Sequence, residues 1–106
     1  MSFLIIKITC PTIKETRKIS THLLQQKLIS SVNYFPIKSM SSWTGKIQEV
    51  DEFIAFLKTR KDNWEKVRDE IKRIHSYKVP CITKIDVEAN EDYESWVNKQ
   101  TNFSLT

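Results

Sequence analysis

The sequence predicts an α+β sandwich in which a four-stranded antiparallel sheet carries two helices on one face, with a short helix closing the chain. Three observations lead there. Two short apolar runs, Phe3 to Ile8, interrupted only by Lys7, and the continuous Phe53 to Leu57, read as strands in the middle of a sheet. Two longer stretches repeat apolar residues at helical spacing, each lying between extended runs. The only glycine, Gly45, falls between two extended arms, where a tight turn needs positive φ. At 106 residues, 40% hydrophobic and 28% charged, the chain is read as one domain over 1–106. A chain of this size buries roughly two-thirds of its unfolded surface without disulfide or metal staples.

Each element follows in order. The first strand is β-branched and too short for a helix, and Pro11 ends its ladder. Thr12 and Glu15 form a capping box ahead of Ile13, Ile19, Leu23, Leu24 and Leu28, predicting a helix over 13–29. Extended runs from Ser31 to Trp43 and from Lys46 to Thr59 flank Thr44-Gly45 and make one long hairpin. Trp64, Val67, Ile71 and Ile74 share one face of a second helix over 61–75, with Asp62–Lys66 and Asp69–Arg73 pairs on the others. Alternation from Val79 to Val87 predicts a strand covered on one face, and after Asn90 a short helix carries Tyr93, Trp96 and Val97.

The order is βαββαβ with a terminal helix. Right-handed crossovers then give the split βαβ, or ferredoxin-like, arrangement with strand order 4-1-3-2. The hairpin outgrows this frame. Thirteen extended residues span about 43 Å, whereas a 17-residue helix covers about 26 Å, so the ribbon overhangs its cover by roughly 15 Å. The overhang carries Ile37, Met40, Trp43, Ile47 and Val50 beside unpaired backbone, which predicts a homo-oligomer that covers them. A bulge at Pro36 that folds the ribbon back is the alternative.

Composition excludes several functions. The net charge of +4 comes from interleaved signs without a basic stripe, and the third strand opens Lys-Ile-Gln-Glu rather than with a basic-Gly-aromatic motif, so nucleic acid is not an expected partner. No stretch approaches the roughly 20 apolar residues of a membrane span, no secretory signal is evident, and a cytoplasmic location is expected. Cys10 and Cys81 lack metal-knuckle or redox spacing. No Gly-rich phosphate loop, Gly-x-Ser-x-Gly or His-Glu-x-x-His is present, so no enzyme is expected. Acylphosphatases share the fold but need a glycine-rich anion loop where this chain has Cys-Pro-Thr-Ile-Lys-Glu.

One resemblance is specific. Thr9-Cys10-Pro11, Leu28 with Val32-Asn33, Ser39, Trp43-Thr44-Gly45-Lys46, Glu52, Lys58-Thr59, His75-Ser76-Tyr77-Lys78-Val79-Pro80, Tyr93 and Trp96 follow the order and spacing of the CutA divalent-cation tolerance proteins, which the chain resembles over nearly its whole length. The resemblance implies a homotrimer built through the hairpin, a part in the response to metal ions, and binding of copper or another divalent cation with no cofactor required. Among family ligand positions His75 is kept, while Ile8, Ser31, Ile74, Cys81 and Ser41 stand where other residues are usual.

Cys10 ends the first strand, Cys81 begins its antiparallel neighbour and His75 closes the second helix, so the three are a candidate soft-metal set. His22 has no second ligand at helical spacing and reads as a boundary residue. A second reading is a trimeric scaffold similar in build to the nitrogen-signalling PII proteins. It would hold a small anion in clefts between subunits, with Lys46, Lys58, Tyr77, Lys78 and His75 nearby.

Overall fold

Alternation along one strand sets the layout. In β1 (Phe3–Cys10), Leu4, Ile6, Ile8 and Cys10 are fully buried beneath the helices, while Ile5, Lys7 and Thr9 on the other face are half-buried. The computed structural model describes residues 2–101. After β1 come α1 (Ile13–Gln25), β2 (Ser31–Trp43), β3 (Lys46–Thr59), a 3-10 turn at Lys61–Asn63, α2 (Trp64–Ile74), β4 (Ile82–Val87) and α3 (Glu91–Gln100). The sheet order is β2-β3-β1-β4, all neighbours antiparallel, which is the predicted 4-1-3-2 order seen from the opposite edge.

The core lies between sheet and helices. Ile19 and Leu23 of α1 and Val67 and Ile71 of α2 pack on the even-numbered residues of β1 and on Ala55 and Leu57 of β3. Burying each such side chain is worth about 1.5–3 kcal/mol. Both long helices sit on this face, and the other face of β1 and β3 is only partly covered. Ile54, Phe56 and Lys58 of β3 stay half-buried on the open face, where Phe35 and Phe56 rings meet at 5.6 Å between centroids.

The hairpin is continuous. Ser31 pairs with Lys58 and the register holds without a break to Trp43 opposite Lys46, Pro36 facing Phe53, so no bulge bends the ribbon. Thr44 and Gly45 both take positive φ, 50° and 79°, the conformation that a two-residue loop needs to match strand twist. The ribbon makes the molecule elongated, 46 × 29 × 20 Å.

Three boundaries differ from expectation. α1 stops at Gln25 rather than 29, because Lys27 enters the left-handed region at φ 59° and Leu28 N–H returns to the Leu23 carbonyl at 3.0 Å. Leu28 and Ile29 still reach the core, from the loop. The second helix begins as the 3-10 turn, and its α part ends at Ile74. β4 starts at Ile82 rather than 79, leaving Val79 and Cys81 exposed ahead of it. Within β4, Lys84 lies opposite buried Ile6 and its Nζ sits 5.3 Å from the Trp64 ring, so the alternating apolar set of Thr83 and Ile85 belongs to the open face.

Candidate functional site

Three chain segments converge where β1 ends. Cys10 is the last residue of that strand, Glu15 lies in the first turn of α1, and His75 caps α2. One ligand atom from each lies within 4.8 Å of the others. Thr12 opens α1 by accepting the Glu15 N–H at 3.1 Å, as the capping box requires. The other half of that box is not made: Glu15 Oε2 accepts the Ser76 N–H at 3.0 Å and stands 3.3 Å from His75 Nδ1. The carboxylate therefore joins the start of α1 to the segment after α2.

The His75 ring is enclosed and its orientation is fixed at both nitrogens. The Thr9 carbonyl lies 2.8 Å from Nε2 and the Tyr77 N–H 3.0 Å from Nδ1. A carbonyl only accepts and an amide N–H only donates, so in the neutral ring the proton sits on Nε2 and the lone pair on Nδ1. A carbonyl behind Nε2–H is the arrangement that orients ligating histidines. Tyr77 runs on to donate its hydroxyl to Glu52 Oε2 on β3, and its ring lies 5.0 Å from that of His75.

Electrostatics sort the group. Burial, aided by the nearby Glu15 and Glu52 charges and opposed by the Thr16 hydroxyl, pushes the Cys10 thiol up to about 11. The neutral thiol is thus favoured over the thiolate at this position. Burial opposes ionisation of Glu15, but the Ser76 hydrogen bonds and His75 outweigh it and hold the carboxyl below its usual range. Burial and then Glu52 raise Tyr77 to about 12.

The donor set fits a borderline divalent cation. A tetrahedral Zn²⁺ with these bond lengths has ligand–ligand edges of about 3.4–3.6 Å, so modest closure of the three side chains suffices, and a fourth position stays open. One sulfur, one imidazole and one carboxylate make a harder set than two sulfurs and an imidazole.

The other residues singled out in the sequence are dispersed. Cys81 is exposed and lies outside the cluster, because Ile82, opposite Ile8, begins the strand and its predecessor stands beyond the ladder. Lys46 and Lys58 share β3 at its two ends, about 40 Å apart at 3.3 Å per residue. Lys58 Nζ donates to Asn33 Oδ1 instead, and Lys78 is exposed on the loop after α2. Ile37 is half-buried, whereas Met40, Trp43, Ile47 and Val50 are exposed at 67%, 65%, 75% and 46%. Glu15 and Glu52 were not anticipated as members of the site. A Thr-x-x-Glu spacing explains Glu15 locally, and only the long-range contact distinguishes the two roles.

Relatives agree with this architecture. Residues 4–100 match the family of the CutA1 divalent ion tolerance protein. The divalent-cation tolerance protein CutA of Archaeoglobus fulgidus is 42% identical over 95 residues, 89% of this chain and 93% of that protein. Its counterpart from Pyrococcus horikoshii is 39% identical over 99 residues, 92% of this chain and 97% of that one. The solved structure of the periplasmic divalent cation tolerance protein CutA from Archaeoglobus fulgidus superposes with a TM-score of 0.89 at 40% identity, covering 96% of this chain and all (100%) of that one. The divalent ion tolerance protein CutA1 from Ehrlichia chaffeensis gives 0.93 at 34% identity, with 95% and 96% covered. Sheet order, long hairpin and a match over nearly the whole chain lead to one conclusion: this chain belongs to the CutA1 divalent-ion tolerance family.

Proposed function

We propose that the chain works without catalysis as a homotrimer that takes up a divalent cation at Cys10, Glu15 and His75. The observation that carries this reading is the convergence of one sulfur, one imidazole nitrogen and one carboxylate, in a chain whose relatives are named for divalent-cation tolerance. On uptake, Cys10 gives up its proton, His75 Nδ1 turns its lone pair from the Tyr77 N–H to the ion, and Glu15 contributes one oxygen. The Thr9 carbonyl keeps the ring in register. Zn²⁺ suits the mixed donors, and copper is the second ion to test.

Assembly rests on the ribbon. Exposed Met40, Trp43, Ile47 and Val50, together with Ile37 and the half-covered open face of the sheet, form an apolar surface that copies of the chain can cover with closed symmetry. The unpaired thiols Cys10 and Cys81 suit a reducing cytoplasm. No helix among the described residues is long and apolar enough to cross a membrane.

Equilibrium dialysis with Zn²⁺ and with copper tests the cation reading. One ion per chain is expected, with loss on Cys10→Ser, Glu15→Gln or His75→Ala and no loss on Cys81→Ser. Binding that ignores all three substitutions would refute it.

A further inference from the structure

A different set of cations, from α1 and α2, is gathered on the helical face. Lys14, Arg17, Lys18, Thr21 and Gln25 recur along α1 at helical spacing and line one side of a groove of about 440 Å³, with Arg73 at the end of α2 across from them. That volume is within the usual range of small-molecule sites. The far wall is fixed. Arg73 Nε and Nη2 donate to the two Glu70 oxygens at 2.9 and 2.8 Å, and Glu70 also holds His22 Nε2. Even so paired, the Arg73 side chain is 61% exposed and offers its remaining donors to the groove.

The near wall is uncompensated. Among the described residues no carboxylate lies within ion-pair distance of Lys14, Arg17 or Lys18, although Glu15 is close enough to Lys18 to feel its charge. The four cations Lys14, Arg17, Lys18 and Arg73, set against Glu70 and Glu15, leave two excess positive charges around one groove.

We infer that this groove binds a compound carrying a di- or triphosphate group. Successive phosphates present repeated charges along a line; Lys14, Arg17 and Lys18 set opposite charges along α1, and the Thr21 hydroxyl and Gln25 amide continue the row as neutral hydrogen-bonding groups. The guanidinium fork of Arg17 matches phosphate oxygens in pairs, while Arg73, whose Nε and Nη2 hold Glu70, adds its positive charge from across the groove. The concentration of charge in one concave site, without a stripe continuing beyond it, favours a small polyanion over a nucleic acid.

Calorimetric titration of the intact chain in about 0.15 M NaCl with EDTA present tests this, the salt screening exposed charges beyond about 8 Å. Inorganic triphosphate is expected to bind once per chain and about tenfold more tightly than citrate, a carboxylate polyanion about one charge lower. Arg17→Gln and Lys18→Gln are each expected to weaken it about two- to fivefold, the range of exposed charge pairs, and Lys99→Gln on α3 to leave it unchanged. ATP binding as tightly as triphosphate would identify the phosphate chain as the whole ligand, and tighter ATP binding would add contacts to the nucleoside. The inference is overturned if citrate equals triphosphate, if the groove substitutions have no effect, if a short single-stranded DNA outcompetes both, or if nothing binds at this salt.

Discussion

Glu15 Oε2 stands 3.3 Å from Nδ1 of His75, joining the first turn of one helix to the cap of the other. The same oxygen accepts the Ser76 N–H, so the carboxylate has abandoned its own helix cap for a tertiary role. Beneath the pair lies the buried Cys10 thiol. Sequestration and proximity to a carboxylate make Cys10 a poor nucleophile and give uptake of a cation there a proton cost.

Thiol reactivity measures that sequestration. In a Cys81→Ser background, Cys10 at pH 8 is expected to remain silent to a disulfide reagent over the minutes in which a free thiol reacts, and to react fully in denaturant. Fast labelling of the native chain would contradict the burial that raises this thiol to about 11.

Glu70 gives an acid limb to stability. Its carboxyl is held down at about 2 by the Arg73 guanidinium and then by His22, against an ordinary value of 4.5. A depressed carboxyl stabilises the fold in full above its unfolded value and loses that contribution as pH falls from about 4.5 towards 2. Glu70→Gln should therefore cost about 0.2–1 kcal/mol at neutral pH, the range for exposed pairs, and the cost should vanish as the pH falls through about 2. Urea midpoints at fixed protein concentration across this range check the convergence of the two curves.

Asn63 holds three segments with one buried amide. Its Nδ2 donates to Thr59 Oγ1 at 3.2 Å, the Thr101 carbonyl at 3.3 Å and the Leu28 carbonyl at 3.4 Å. Asn63→Ala should cost about 1–3 kcal/mol, because it leaves buried acceptors short of donors. Chemical denaturation measures the cost, and hydrogen exchange should show earlier opening of α3, whose end Thr101 loses its tie.

Much of this was legible in the sequence because burial patterns are local. The apolar runs of β1 and β3 fixed the middle of the sheet, and the glycine at position 45 marked the turn. What escaped depended on distant partners. Lys27 in the left-handed region carries no glycine signal, so the apolar spacing predicts α1 as far as residue 29, although the burial of Leu28 comes from the loop. Cys81 seemed close to Cys10 because adjacent strands suggest adjacent ends, yet Pro80 and the late start of β4 leave it outside the ladder. The cationic groove draws its walls from two helices far apart in the chain, so no single window contains it.

The ribbon makes a concentration-dependent claim. Light scattering of the chain should give three times the subunit mass of 12.5 kDa, and Trp43→Lys with Ile47→Lys should lower it by placing charges within the proposed contact. An unchanged mass in the double variant would move the interface elsewhere.

Zinc X-ray absorption of the loaded, intact chain reads the donor set at Cys10, Glu15 and His75 directly. The expected shell holds one sulfur at about 2.3 Å with nitrogen and oxygen at about 2.0–2.2 Å, and the sulfur disappears in Cys10→Ser. A shell without sulfur, or one whose sulfur is lost in Cys81→Ser instead, would contradict the site proposed here.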